Sequence, residues 1–234
     1  MSYTKVDFTK ESAVQSDEMF SFLQTYATGY FDSIIHPPDG DGKRHENIEC
    51  TINLSGGGTS TLNFNYYNNN LYANVSWSYS PDYTSWAIGN QSNILYAIAA
   101  PKGIFFVQRA YNSLLGFGIA KTSENETFLY LPQYNNNNMY ARFANMHTGA
   151  KGSQGANIST SNPANESFFS IVTGATGGTA LCPMVTGNSG SYSYSPYLLR
   201  VPFTQYRGTF GILTLNDKQY FTNGVVALLL EEEA

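Results

Sequence analysis

The residues that could carry out catalysis are scattered along this chain of 234 residues. A pair of carboxylates could cleave a glycosidic bond, but the sequence does not bring any two acids together. Gly187-Asn188-Ser189-Gly190 lacks the G-x-S-x-G spacing of a nucleophile elbow. We therefore expect a protein that is not an enzyme, with a glycan-cleaving hydrolase as the catalytic alternative. The acids open to that alternative are Glu46, Glu49, Asp82, Glu124, Glu126 and Glu166.

The residues that could hold a metal do not have ligand spacing. Asp39-Gly40-Asp41-Gly42 begins like a calcium loop, but Lys43 and Cys50 occupy the fifth and twelfth positions, where oxygen ligands are required. The histidines do not form an H-x-x-x-H pair or a cluster with cysteine. We expect no metal and no other cofactor. The histidines are His36, His45 and His147.

The densest aromatic segment runs from residue 77 to residue 86 and contains both tryptophans of the chain. Flat aromatic rings can stack on sugars or anchor a protein contact, and the polar side chains between them can donate and accept hydrogen bonds. The alternative, which we favour, is that the tryptophans fill the core at a hairpin. The candidate binding residues are Trp77, Tyr79, Asp82, Tyr83 and Trp86, with a second set at Tyr192, Tyr194 and Tyr197.

One segment has the periodicity of a helix. Apolar residues recur at steps of three and four between about residues 16 and 35, and His36-Pro37-Pro38 ends the pattern. We assign residues 1–40 to an N-terminal segment that carries this amphipathic helix. Its apolar face covers a sheet of its own chain or contacts copies of itself; the candidate oligomer contacts are Met19, Leu23, Tyr26 and Tyr30.

The rest of the chain, residues 41–234, reads as one antiparallel β domain, a sandwich or a barrel. Ile48, Cys50 and Ile52 alternate with polar residues, and about a dozen short strands follow at intervals of 8–12 residues. Gly116-Phe117-Gly118 predicts a strand bulge. The regions at about 148–164 and 174–197 are rich in Gly, Ser and Asn, which predicts long surface loops.

The composition of the chain argues against some classes of binding partner. The chain has only 29 charged residues (12 Lys and Arg, 17 Asp and Glu), against 23 Asn, 23 Ser and 20 Thr. A net charge of −5 argues against nucleic acid as a partner. We also expect no membrane insertion and no signal peptide, because no long apolar stretch is present. Cys50 and Cys182 could form one disulfide, although two unpaired buried thiols are favoured.

The chain resembles the tail, baseplate and fibre-associated proteins of tailed bacteriophages and prophages. The resemblance lies in the opening residues 1–8, in the Asn- and Tyr-rich strands, and in the closing segments 206–211 and 215–224. It implies a virion structural protein, made in the bacterial cytoplasm, that assembles with itself or with other virion proteins. The alternative is a carbohydrate-binding module for a bacterial surface glycan.

Overall fold

The computed structural model describes residues 3–9, 12–36, 45–67, 72–110, 113–135, 138–156, 182–188, 191–201, 210–215, 217–224 and 226–231. In chain order, the elements in these residues are β1 (Thr4–Asp7), α1 (Ser12–Tyr26), β2 (Ser33–Ile35), β3 (His45–Asn53), β4 (Thr59–Tyr67), β5 (Tyr72–Tyr79), a short 3-10 turn (Ser80–Asp82), β6 (Thr84–Ser92), β7 (Ile94–Ala100), β8 (Gly103–Ala110), β9 (Ser113–Lys121), β10 (Thr127–Asn135), β11 (Asn138–Asn145), β12 (Lys151–Ala156), β13 (Cys182–Asn188), β14 (Ser191–Arg200), β15 (Gly211–Leu215), β16 (Lys218–Thr222) and β17 (Val226–Leu229). The predicted fold class, mainly antiparallel β with one helix, is confirmed.

The strands form three sheets. The helix-side sheet has the order β2-β3-β4-β5-β6, the central sheet β1-β7-β8-β9-β10-β11-β12, and the C-terminal sheet β13-β14-β17-β16-β15. All the strand pairs are antiparallel, and most join neighbours in the chain, as in a meander. The exception at the N-terminus is β1. Its partner β7 follows it in the chain only after all the strands of the helix-side sheet.

The central sheet is buried on both faces. Ile104 and Phe106 of β8 belong to a first core that they share with α1 and the helix-side sheet. Phe105 and Val107, which point the other way, belong to a second core shared with the C-terminal sheet. Successive strand residues point to opposite faces, so an unbroken apolar run is what a strand between two layers requires.

Gly116 and Gly118 make room in the second core, and the bulge predicted there is absent. The register between β8 and β9 is continuous from Gly103 to Ala110. A Cβ atom at Gly116 would lie 2.1 Å from the Phe105 ring, so this glycine leaves space for the aromatic side chain on the neighbouring strand.

The helix is shorter than predicted and begins earlier. It covers Ser12–Tyr26, and residues 33–35 instead form β2, in which Ile34 pairs with Cys50 of β3. The weak helix formers Thr28 and Gly29 follow Tyr26, and β-branched isoleucines suit a strand. The N-terminal segment 1–40 therefore adds a strand to each of two sheets.

Parts of both predicted long loops are strands. Lys151–Ala156 forms β12, which pairs with β11. Gly187–Asn188 and Ser191–Arg200 belong to a hairpin of β13 and β14 in which tyrosine alternates with serine. Backbone pairing does not need apolar residues, so a Gly- and Ser-rich composition that predicts loops can also form strands. The rest of the two loop regions lies outside the described residues.

The half-buried strands of the helix-side sheet match their predicted faces. Ile48, Cys50 and Ile52 are all buried. The Cys50 thiol is free, so the long-range disulfide is not formed, and burial raises the pKa of this thiol.

Candidate functional site

Trp77 is a core residue. It is fully buried, lies opposite Leu62 on β4 and donates a hydrogen bond from Nε1 to the Ser60 hydroxyl at 2.9 Å. Because a side chain with no exposed surface cannot stack on a ligand, Trp77 is withdrawn as a candidate binding residue. The favoured alternative, core packing, describes it.

Trp86 lies directly opposite Trp77 across the β5–β6 pair, and their ring centroids are 4.9 Å apart. Its ring is half-buried, and the Arg142 guanidinium from β11 lies 5.2 Å from the ring centroid. Arg142 also donates to the Ala87 carbonyl at 2.9 Å. Trp86 therefore closes the gap between two sheets, where Arg142 covers it by a cation–π contact.

The Tyr79 ring, at the end of β5, packs against the turn between β11 and β12. A Cβ atom at Gly149 would lie 2.4 Å from the Tyr79 ring, and Gly149 has a φ of 69°, so only glycine lets the β11–β12 turn approach this closely. Burial, and then the nearby Asp82 carboxylate, raises the pKa of Tyr79.

The Ser80–Asp82 turn is fixed to the neighbouring β3–β4 turn. Pro81 lies in the first part of the turn, where its fixed φ is favourable. The Ser80 hydroxyl accepts a hydrogen bond from the Thr59 N–H at 2.8 Å. A Cβ atom at Gly58 would lie 2.5 Å from that hydroxyl, so the two turns are packed against each other.

Asp82 fixes the same turn to the central sheet. Its carboxylate accepts from Lys151 Nζ at 2.6 Å and from the Thr84 N–H at 3.0 Å. The Lys151 hydrogen bond, followed by those from Thr84, lowers the pKa of Asp82. Lys151 also donates to the Thr84 hydroxyl at 2.5 Å. The turn is thus tied to β12 as well as to the β3–β4 turn.

Tyr83 directly follows the Ser80–Asp82 turn. Its side chain is 93% exposed, and its backbone is left-handed, with a φ of 52°. The other two non-glycine residues with positive φ in the described part of the chain are Asn125 and Asp217, residue types that tolerate this conformation. A bulky aromatic residue does not, so Tyr83 combines backbone strain with an unburied ring.

The three tyrosines of the second candidate binding set do not share one environment. Tyr194 is 40% exposed, whereas Tyr197 is half-buried against the second core. Tyr192 lies in β14, but its side chain is outside the described residues.

Most of the candidate oligomer contacts are buried in their own chain. Met19 and Leu23 are fully buried in the first core, and Tyr30 is 7% exposed. These three are withdrawn as oligomer contacts, because the helix packs on its own sheet. Tyr26, at the end of α1, is the exposed member of the set.

A polar cluster that the sequence did not indicate lies at the end of the central sheet. The Asn145 side-chain amide donates to Glu126 Oε2 at 2.5 Å and to the Ser193 hydroxyl at 2.9 Å. Its Oδ1 accepts from the His147 and Thr148 N–H groups, which fixes the β11–β12 turn. This turn carries Gly149, which lies against the Tyr79 ring at the end of β5.

His147 is half-buried in this turn, and burial lowers its pKa. The charges around it act in both directions: Glu126 and Asp32 raise the pKa, and Lys121 lowers it. Nε2 has no hydrogen-bond partner among the described residues. Sequence spacing gives no signal for this cluster, because its members come from separate strands and turns.

Two of the acids named for glycoside hydrolysis have lowered pKa values. A general acid at neutral pH needs a raised pKa. Instead, hydrogen bonds from Lys151 and Thr84 lower the pKa of Asp82, and one from Ser123 lowers that of Glu124. Glu46, Glu166 and the Asp39–Gly42 segment cannot be placed, since their side chains lie outside the described residues.

In the described part of the chain, three or more His, Cys, Asp or Glu side chains do not come together in a group able to hold a metal ion. Nor is a described helix long and apolar enough to cross a membrane. A scan against models of protein families and searches of curated proteins and of solved structures find no match to this chain.

Proposed function

We propose that this chain is a non-enzymatic virion structural protein of a tailed phage or prophage that docks on another virion protein through Tyr83. The observation that carries the docking surface is a strained, 93% exposed tyrosine that follows a turn held by hydrogen bonds to β4 and β12. The virion setting follows from the resemblance of the sequence to tail, baseplate and fibre-associated proteins.

A rigid aromatic anchor favours binding because little conformational freedom is lost when the complex forms. Tyrosine has few rotatable bonds and a large contact area, and it is enriched among the residues that dominate interface energies. The turn that presents it is held by hydrogen bonds to two neighbouring segments, through Thr59 at the start of β4 and Lys151 at the start of β12. The low charge of the chain also means that docking removes few ions from water.

Glycan binding is the second candidate function, and it no longer rests on the two tryptophans. The buried Trp77 and the Arg142-covered Trp86 do not offer a two-tryptophan platform, so a sugar would have to stack on Tyr83, beside the Asp82 carboxylate. A single exposed ring supports a protein contact and a sugar contact equally. The resemblance to virion proteins places the protein contact first.

Photo-crosslinking tests the proposal in cells that produce the particle. Benzoylphenylalanine at position 83 should crosslink to another structural protein of the particle. The matched control is the same residue at position 125, which is also exposed and left-handed. Equal crosslinking at both positions, or absence of the chain from gradient-purified particles, would contradict the proposal. Binding on a bacterial glycan array that Tyr83→Ala abolishes would favour the second candidate.

A further inference from the structure

The outermost strand of the C-terminal sheet, β15, has an edge with which no strand in the described part of the chain pairs. Its sequence, Gly211-Ile212-Leu213-Thr214-Leu215, contains no charged residue and no proline. It pairs with β16 on one side, and no other described strand pairs with it. Ile212 is 47% exposed. A bare edge of this kind is a template for another strand, and proteins normally protect such edges.

Four of the other outermost strands are protected by contacts. Gln24 of α1 donates to the Ile34 carbonyl on β2, and Arg142 donates to the Ala87 carbonyl on β6. Strands β12 and β13, at the edges of two different sheets, pack against each other. Each of these edges is covered by an element of the same chain.

The remaining edge, β1, is protected by charge. Lys5 and Asp7 form an ion pair at 2.6 Å, and Lys5 lies over the Tyr96 ring. An approaching strand would have to displace these charges. In the described part of the chain, β15 alone lacks both kinds of protection.

We propose that β15 pairs with β15 of a second copy of this chain. The two strands run antiparallel about a twofold axis centred on Leu213, so that Ile212 of each copy lies opposite Thr214 of the other. The two C-terminal sheets then form one continuous sheet of ten strands. A second copy is the partner that the strand favours, because an uncharged strand meets an identical one without charge repulsion, and a twofold axis pairs them in register.

The partner at β15, a second copy of this chain, differs from the partner proposed at Tyr83, which is another virion protein. The two surfaces lie on different sheets, so either can fail without the other. Tyr83→Ala should leave the dimer intact, and a change in β15 should leave crosslinking at position 83 intact.

The test is the oligomeric state of the full chain, measured by light scattering after size exclusion over a range of concentrations. The wild type should be a dimer, and Ile212→Lys a monomer with an unchanged circular dichroism spectrum. The matched control is Ile35→Lys, because Ile35 is 46% exposed on β2, an edge that α1 already covers. This control should remain a dimer.

A charge pair tests the register. Thr214→Asp should also be monomeric, but an equimolar mixture with Ile212→Lys should form a heterodimer, because lysine then faces aspartate across the axis. Alternate β15 amides, those not bonded to β16, should be protected from hydrogen exchange in the wild type and exposed in either variant. A monomeric wild type, a dimer that survives Ile212→Lys, or a mixture that stays monomeric would overturn the proposal.

Discussion

Replacing Tyr83 by glycine should stabilise the fold while removing the proposed anchor. A left-handed conformation costs a non-glycine residue about 1–2 kcal/mol, and the Tyr83 ring, at 93% exposure, recovers almost none of this by burial. Glycine removes the cost but adds about 0.4–1 kcal/mol of unfolded-chain entropy. The net stabilisation should lie between about 0 and 1.6 kcal/mol, and its midpoint of about 0.8 kcal/mol raises Tm by about 2–3 °C for a chain of this size.

Two further variants separate the effect of the left-handed backbone on stability from the effect of the Tyr83 ring. Tyr83→Ala keeps a Cβ atom and therefore the strain, so its free energy of unfolding should stay within about 0.5 kcal/mol of the wild type. Asn125→Gly, at a φ of 64°, should gain less than Tyr83→Gly, because asparagine tolerates this conformation. Both Tyr83 variants should lose binding to the partner.

Urea unfolding, followed by circular dichroism and tryptophan fluorescence, measures these differences. A Tyr83→Gly variant less stable than Tyr83→Ala would show that the left-handed backbone at position 83 is not strained. An Asn125→Gly variant that gains as much stability as Tyr83→Gly would show the same. Stabilisation without loss of binding would retain the strain argument and remove Tyr83 as the anchor.

Three other substitutions test the surrounding structure by urea unfolding. Trp77→Phe should cost about 2–4 kcal/mol, because it leaves the buried Ser60 hydroxyl unpaired and opens a cavity. Asp82→Asn should be less stable than the wild type above pH 3.8, the ordinary pKa of this carboxyl, and the two should converge as the pH falls through the lowered pKa, because the contact with Lys151 stabilises the ionised form. The pKa of His147 is also lowered, so the wild type should lose stability as the pH falls below about 6.5, and His147→Gln should lack that step; equal pH profiles would contradict this.

Half-buried strands could be predicted down to the faces of their residues. Ile48, Cys50 and Ile52 alternate with polar residues because one side of β3 faces the core and the other does not, so the burial pattern is visible in the sequence. The run from Ile104 to Val107 could be recognised as a strand. Its burial on both faces depends on β14, β16 and β17, which lie about a hundred residues away in the chain, and local periodicity cannot report them.

The helix end, and the choice of Tyr83 among the candidate binding residues, could not be predicted from local sequence pattern. Ile34 and Ile35 continue the helical spacing by coincidence, and pairing of β2 with β3 decides their structure. The spacing of Trp77 and Trp86 predicts that they are neighbours, but burial depends on Arg142 and the central sheet. The importance of Tyr83 rests on a φ angle, which the sequence does not reveal.

The pairing of β1 with β7 has a consequence for how the chain is made. On the ribosome, β1 is made before the helix-side sheet, and its partner β7 follows it by about ninety residues, after that sheet has been synthesised. The second apolar face of β8 and β10 is covered by β14, β16 and β17, which are made later than the central sheet. Newly made chains therefore pass through a stage in which the strands of the central sheet have all been made but one of its faces is uncovered. A stop codon or a pause between β12 and β13 would leave Phe105, Phe128 and Tyr130 exposed, and such truncated chains should require a chaperone or aggregate.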